Sequence, residues 1–499
     1  STLDRSSAAS DVYKRQDSNN SGTNGSFFEV INNTDLTISN LTIQEASRQN
    51  QNIKDGSVLY LKNNTANVTI NSVNLTSNSA AGNGGAIASI AGGLTISDSY
   101  LSGNIAGNQG GAVYAENEIS IVNSIFSSNK DSSGANDIYV ANTGVVNFNG
   151  NGTSVISSGI AGNGVINKND SGSLDFSGNN INFDGTLNVN SGSVNFAPVS
   201  ESDTYISGVT NISETANVNI ENKDFDTNIE GTFKGNGRLF INAGADKSVI
   251  VNGDNSAFTG ALSITSGNLI VNMDSEFDKY FGSSSNLVND NAKLTFNVAS
   301  GIEQELISET AVSFVGGGVF EKSGDGTLTI TGNWENLSGG TVISDGILEY
   351  VSSADLYSSM ISGDVNISNG ATFQIDNQSG KDFILSNKLI GDTGSNFVID
   401  GEDDSLVILN GDNAGFGGVT TISRGDLSFT KNDNNSFVGG SVNIDNTNST
   451  LIYSTDTDGE VIKSLSGIGT IEKQGTGELT VNMDDFSGLA NVNAGTLTV

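Results

Sequence analysis

The chain has 499 residues, with 56 acids against 21 bases, a formal net charge of −35, and neither Cys nor His. Such a surface excludes nucleic acid as a partner, because phosphate binding needs clustered Lys and Arg, and the missing Cys and His exclude disulfide staples, thiolate nucleophiles, histidine bases and the usual zinc sites. With 35% hydrophobic residues, 62 Gly and 1 Pro, the composition is neither collagenous nor linker-like and suits thin strands with polar outer faces.

Residues 1–29 form a non-repeat tail. Within it, residues 1–16 (STLDRSSAASDVYKRQ) hold Arg5, Lys14 and Arg15 and resemble adaptor-derived translation, so they are set outside the fold. From 30 to 140 a motif of about 25 residues recurs. VTINSVNLTSN from Val68, LTISDSYLSGN from Leu94 and ISIVNSIFSSN from Ile119 align without gaps, with GNGGAIA from Gly82 and GNQGGAVYA from Gly107 between them. Asn78, Asn104 and Asn129 are expected to stack as a ladder of amides.

From 141 to 499 the repeat lengthens. FDGTLNVNSGSVNF from Phe183 returns as FTGALSITSGNLIV, LSGGTVISDGILEY, FGGVTTISRGDLSF and FSGLANVNAGTLTV. The turn glycines are Gly192, Gly267, Gly346, Gly425 and Gly495, at steps of 75, 79, 79 and 70 residues. Each copy is two short alternating runs around a glycine turn. An isolated hairpin of this size is marginal, so recurrence points to a solenoid in which each coil covers its neighbour. The spacing predicts a unit of three coils of roughly 25 residues. Val189, Ile264, Ile343, Ile422 and Val492 share one repeat position and are expected to point inward.

Two resemblances follow. GGAI at Gly84, GGAV at Gly110 and FSSN at Phe126 resemble the repeats of chlamydial polymorphic outer-membrane proteins. GVFEKSGDGTLTITG from Gly318, GTIEKQGTGELTVN from Gly469 and the diverged GVINKNDSGSLDFSG from Gly164 resemble autotransporter-associated strand repeats, with Lys168, Lys322 and Lys473 at one position. The resemblance implies an all-β, single-stranded, right-handed parallel β-helix, the passenger of a type V secretion system at the outer-membrane surface of a Gram-negative bacterium. It also implies a C-terminal membrane β-barrel in the full protein. No signal peptide opens the chain and Val499 falls inside a repeat, so the expectation is a fragment lacking both ends. No apolar run approaches a transmembrane helix, and no direct membrane insertion is expected of it.

Sites are scarce. Arg424, Gly425 and Asp426 spell an integrin-type tripeptide at a predicted corner, but Gly425 is the repeat's own turn glycine, and one variant of a variable corner is the favoured reading. Asp456 to Glu460 (DTDGE) is like a calcium loop, yet Ser454 and Leu465 stand where further ligands are needed. No catalytic, cofactor-binding or metal-binding residue is assigned, and no cofactor is expected. The expected role is an extended adhesive or cell-contact scaffold facing a host or bacterial surface ligand, not an enzyme. The alternatives are a β-helical polysaccharide lyase or glycoside hydrolase and a purely structural surface layer. Scattered carboxylates and 7% aromatic content weigh against the enzyme.

Overall fold

The computed structural model describes residues 12–14, 26–30, 35–49, 54–62, 66–200, 205–274, 281, 285–307, 314–332, 334, 336–353, 362–378 and 382–499. The expected tail, 1–29, with its adaptor-like 1–16, lies mostly outside the described residues. Every regular element among the described residues is a β-strand, and none is a helix. The chain divides into two compact units, 1–260 and 261–499. Within each, described strand pairs are parallel except for two short contacts, Val12–Lys14 with Phe28–Val30 and Lys130–Asp131 with Gly134–Ala135. Each unit is thus a parallel β-solenoid.

In the first unit, equivalent residues of successive coils stand in register. Leu94, Ile119, Val146, Ile166, Leu187, Thr210 and Phe233 form one continuous ladder. All seven are buried, and their chain neighbours on the strands are not, as period-two alternation requires. Each fully buried aliphatic or aromatic rung contributes about 1.5–3 kcal/mol. Like residues stack: the rings of Phe176 and Phe196 lie 4.8 Å apart and nearly parallel. Glycine pairs set the corners. A Cβ on Gly85 would sit 2.1 Å from the carbonyl oxygen of Gly111 on the next coil, and one on Gly111 would sit 2.2 Å from that of Asn136. No side chain fits there, which explains the GGA of these two coils.

In the second unit the long repeat proves to be more than three coils. Ile347, which follows Gly346, aligns with Thr372, Asn396 and Val419 on the 9-stranded sheet. Seven residues beyond Val419 comes Asp426, which follows Gly425 and pairs with Leu406 on the 6-stranded sheet. Thr496, after Gly495, pairs with Glu478 on the 3-stranded sheet. Each unit is therefore three coils plus one face, so consecutive copies of the motif fall on consecutive sheets. This revises the expected three-coil unit. The reason is coil length: the ladder steps here are 25, 24 and 23 residues, which leaves seven of the 79 residues to reach the next corner.

Four of the five residues expected inward are fully buried: Val189, Ile264, Ile343 and Ile422. Val492 is the exception, 50% exposed, because it lies in the last coil and no further coil covers it.

Candidate functional site at the capped corners

The corners are where polar chemistry enters the core. Strand Val319–Ser323 alternates so that Phe320 and Lys322 both point inward. The Lys322 side chain is fully buried, and its Nζ donates to the carbonyl oxygens of Ser323 (2.9 Å), Gly324 (2.6 Å) and Asp345 (3.2 Å). Ser323 and Gly324 belong to its own corner and Asp345 to the corner of the next coil. One ammonium thus ties two stacked turns together. Burial pushes its pKa down to about 8, opposed by Asp345 and Asp325.

Lys473 repeats the arrangement, donating to Gln474, to Gly475 at 2.9 Å and, one coil on, to Ala494 at 3.5 Å. Lys168 does so toward Asp170 and toward Ser191 on the next coil. Burial lowers the pKa of both. The turn glycine sits directly over this cap. A Cβ on Gly346, at φ +64°, would lie 2.5 Å from the Gly324 oxygen that Lys322 holds.

The other two corners lack the lysine. Ile241 and Ile399 occupy its place, both fully buried. An asparagine from the preceding coil caps instead: Asn222 Nδ2 donates to the Ser248 carbonyl at 3.3 Å, and Asn377 Nδ2 to that of Leu406 at 3.1 Å. Ser248 and Leu406 each open the strand after the corner. The two kinds of cap are alternative solutions to one problem, carbonyls turned inward at a bend.

The expected asparagine ladder is present. Asn78 Nδ2 donates to Asn104 Oδ1 and Asn104 Nδ2 to Asn129 Oδ1, both at 2.9 Å, while each also holds a carbonyl of the coil behind. The ladder ends on Asp137, whose Oδ1 accepts from Asn129 at 2.7 Å and Oδ2 from the Ser158 amide at 2.7 Å. Asp137 is fully buried, and desolvation raises its pKa to about 6 against those hydrogen bonds. Sequence reasoning missed it, along with buried Arg48, which donates to the Asp55 carbonyl at 2.6 Å and lies 5.1 Å from the Tyr60 ring centroid.

The tripeptide is tied into neighbouring coils. Arg424 Nε lies 3.5 Å from Asp400 Oδ1, and Asp426 Oδ1 accepts the Thr450 amide proton at 2.7 Å. Asp426 is half-buried, which raises its pKa. Ile422 and Leu427 are fully buried on either side. At the DTDGE corner, Asp456 accepts from the Thr476 amide and Asp458 from the Glu478 amide, so these carboxylates also brace the next coil. Among the described residues no group of three or more Asp or Glu side chains stands close enough to hold a metal ion.

The passenger-associated-transport-repeat family model matches the chain at residues 166–195, 320–349 and 471–499. Each match runs from just before a capping lysine to the strand after the turn glycine, and the two asparagine-capped corners fall outside all three. No curated protein and no solved structure matches the chain.

Proposed function

We propose that this chain, which carries the passenger-associated-transport repeat three times on a parallel β-solenoid, is part of an autotransporter passenger displayed at the surface of a Gram-negative bacterium. Its role there is that of an extended scaffold for adhesion or cell-cell contact rather than catalysis. The observation that supports this reading most is the coincidence of the repeat with a structural device. The transport repeat is the lysine-capped corner, and its cap joins each coil to the next using only local chain. Such a fold assembles coil upon coil, which suits a chain that crosses a membrane unfolded and folds outside. The strong negative charge suits a solvated surface exposed to water.

The test joins the chain to a signal peptide and a translocator β-barrel and expresses it in a Gram-negative host. Added protease should remove the chain from intact cells, and the displaying cells should attach to host or bacterial cells better than cells carrying the barrel alone. A chain retained in the periplasm would defeat the display reading. Display without added attachment would leave a structural surface layer and defeat the adhesive one.

A further inference from the structure

One ladder of the first unit carries aromatic side chains on its outer face. Tyr114 and Tyr139 are register partners on successive coils, and their rings stack 5.7 Å apart at 9°. The next rung is Ala161, the register partner of Tyr139. The ring series stops there, and among the described residues no ring lies on the face of Tyr139 turned toward Ala161. In that place lies an open cleft of about 560 Å³, lined by both residues. The Lys130–Asp131 and Gly134–Ala135 strands fold back as a small hairpin and raise one wall. Later coils bring Asn182 and Asp184 to the other.

The chemistry of the walls is specific. The lining includes side-chain amides at Asn108, Gln109, Asn163 and Asn182, and carboxylates at Asp131 and Asp184, with no Lys or Arg. Asp131 is engaged in its own hairpin, accepting from Ser133 and from the Gly110 amide. The four amides and Asp184 have no side-chain hydrogen bond among the described residues. Asn136, also in the lining, is only 3% exposed, and its Oδ1 has no partner. A buried acceptor left unpaired is costly and calls for a partner, such as an ordered water or a bound group.

We propose that this cleft is a binding site for a neutral glycan, with one pyranose ring seated on the open face of Tyr139 in the space that a larger residue than Ala161 would fill. A pyranose has an apolar C–H face and a rim of hydroxyls that both donate and accept. An aromatic ring answers the first, and amides with a carboxylate answer the second. The volume falls in the range of small-molecule sites. The acids in the lining and the net charge of −35 select against acidic sugars. This site does not rest on surface display, since its test uses the isolated chain in solution.

The test is titration of the purified chain with the methyl glycosides of glucose, galactose, mannose and N-acetylglucosamine, with their β-linked disaccharides, and with polygalacturonate, read by saturation-transfer NMR and calorimetry. Saturable binding of at least one neutral sugar is expected, with none for polygalacturonate. Tyr139→Ala should lower affinity at least tenfold. Ala161→Phe, which continues the ring series and fills the slot, should do the same with thermal unfolding unchanged, and it decides the matter should the first variant fold poorly. No saturable binding of any neutral sugar, equal binding by Ala161→Phe, or polygalacturonate binding as tightly would each overturn the assignment.

Discussion

Replacing Lys322 with Met keeps the volume and removes the ammonium from three carbonyl oxygens, those of Ser323, Gly324 and Asp345. Two terms oppose. Holding a charged amine whose pKa is down to about 8 rather than 10.5 costs at most about 3 kcal/mol, and solvent screening at the corner reduces this. Against it stand three hydrogen bonds from a charged donor, each with a net contribution of about 1.5–3 kcal/mol, and their loss leaves inward-facing carbonyls unpaired. The second term, about 4.5–9 kcal/mol in all, is larger, so the variant should lose about 1–6 kcal/mol. Urea unfolding followed by circular dichroism measures it, with the midpoint falling at constant slope if the loss is one of stability alone. A midpoint within error of the parent would show that water satisfies the corner as well as lysine does, and the capping argument would fall. Lys322→Ile should behave like Lys322→Met, because Ile241 and Ile399 succeed only where an asparagine one coil earlier supplies the donor.

Other outcomes are as specific. Ile343→Asp places a charge in a fully buried position and should cost several kcal/mol, seen as a large drop in thermal midpoint; an unchanged midpoint would mean the strand register is wrong. Gly346→Ala meets both a positive φ of +64° and an oxygen 2.4 Å from the new Cβ, so a loss of more than about 1 kcal/mol is expected, whereas Gly370→Ala, with no atom within 4 Å, bears only the φ penalty. Asp137 has its folded pKa raised from 3.8 to about 6, so its contribution to stability is fully present below pH 3.8 and is lost as pH rises through 6. Stability should fall by on the order of 3 kcal/mol over that window, and a chemical-denaturation series in which Asp137→Ala shows the same fall would remove Asp137 as the cause. Asp426→Glu lengthens the tripeptide's carboxylate by one methylene, and cells should attach equally to both forms; loss of attachment in the variant would revive a receptor role for that corner.

Much of the fold was legible because alternation and recurrence are both local signals. GGA, the asparagine steps and the buried positions Ile264, Ile343 and Ile422 follow from spacing alone. The lysine caps were visible as a shared position but not as a role. Lys168, Lys322 and Lys473 stand two residues after an inward apolar side chain, so the alternation itself pointed them inward, against the habit of reading lysine as solvated. Asp137 gave no signal, because it belongs to no repeat and is defined by the ladder that ends on it. The cleft was hidden for a similar reason. A low overall aromatic content argues against a long stacked groove, but it says nothing about one pair of tyrosines followed by an alanine on the next coil.

The extra face in each long repeat bears on how the corners are used. In residues 261–499, the turns at Gly346, Gly425 and Gly495 lead into three different sheets. A flat partner laid along one side of this unit meets one of these turns and not the others. Avidity from repeated copies is therefore closed to these three turns, however alike their sequences. Each corner is instead a separate azimuth, and Asp-Gly-Ile, Arg-Gly-Asp and Ala-Gly-Thr, though equivalent in the repeat, face different directions.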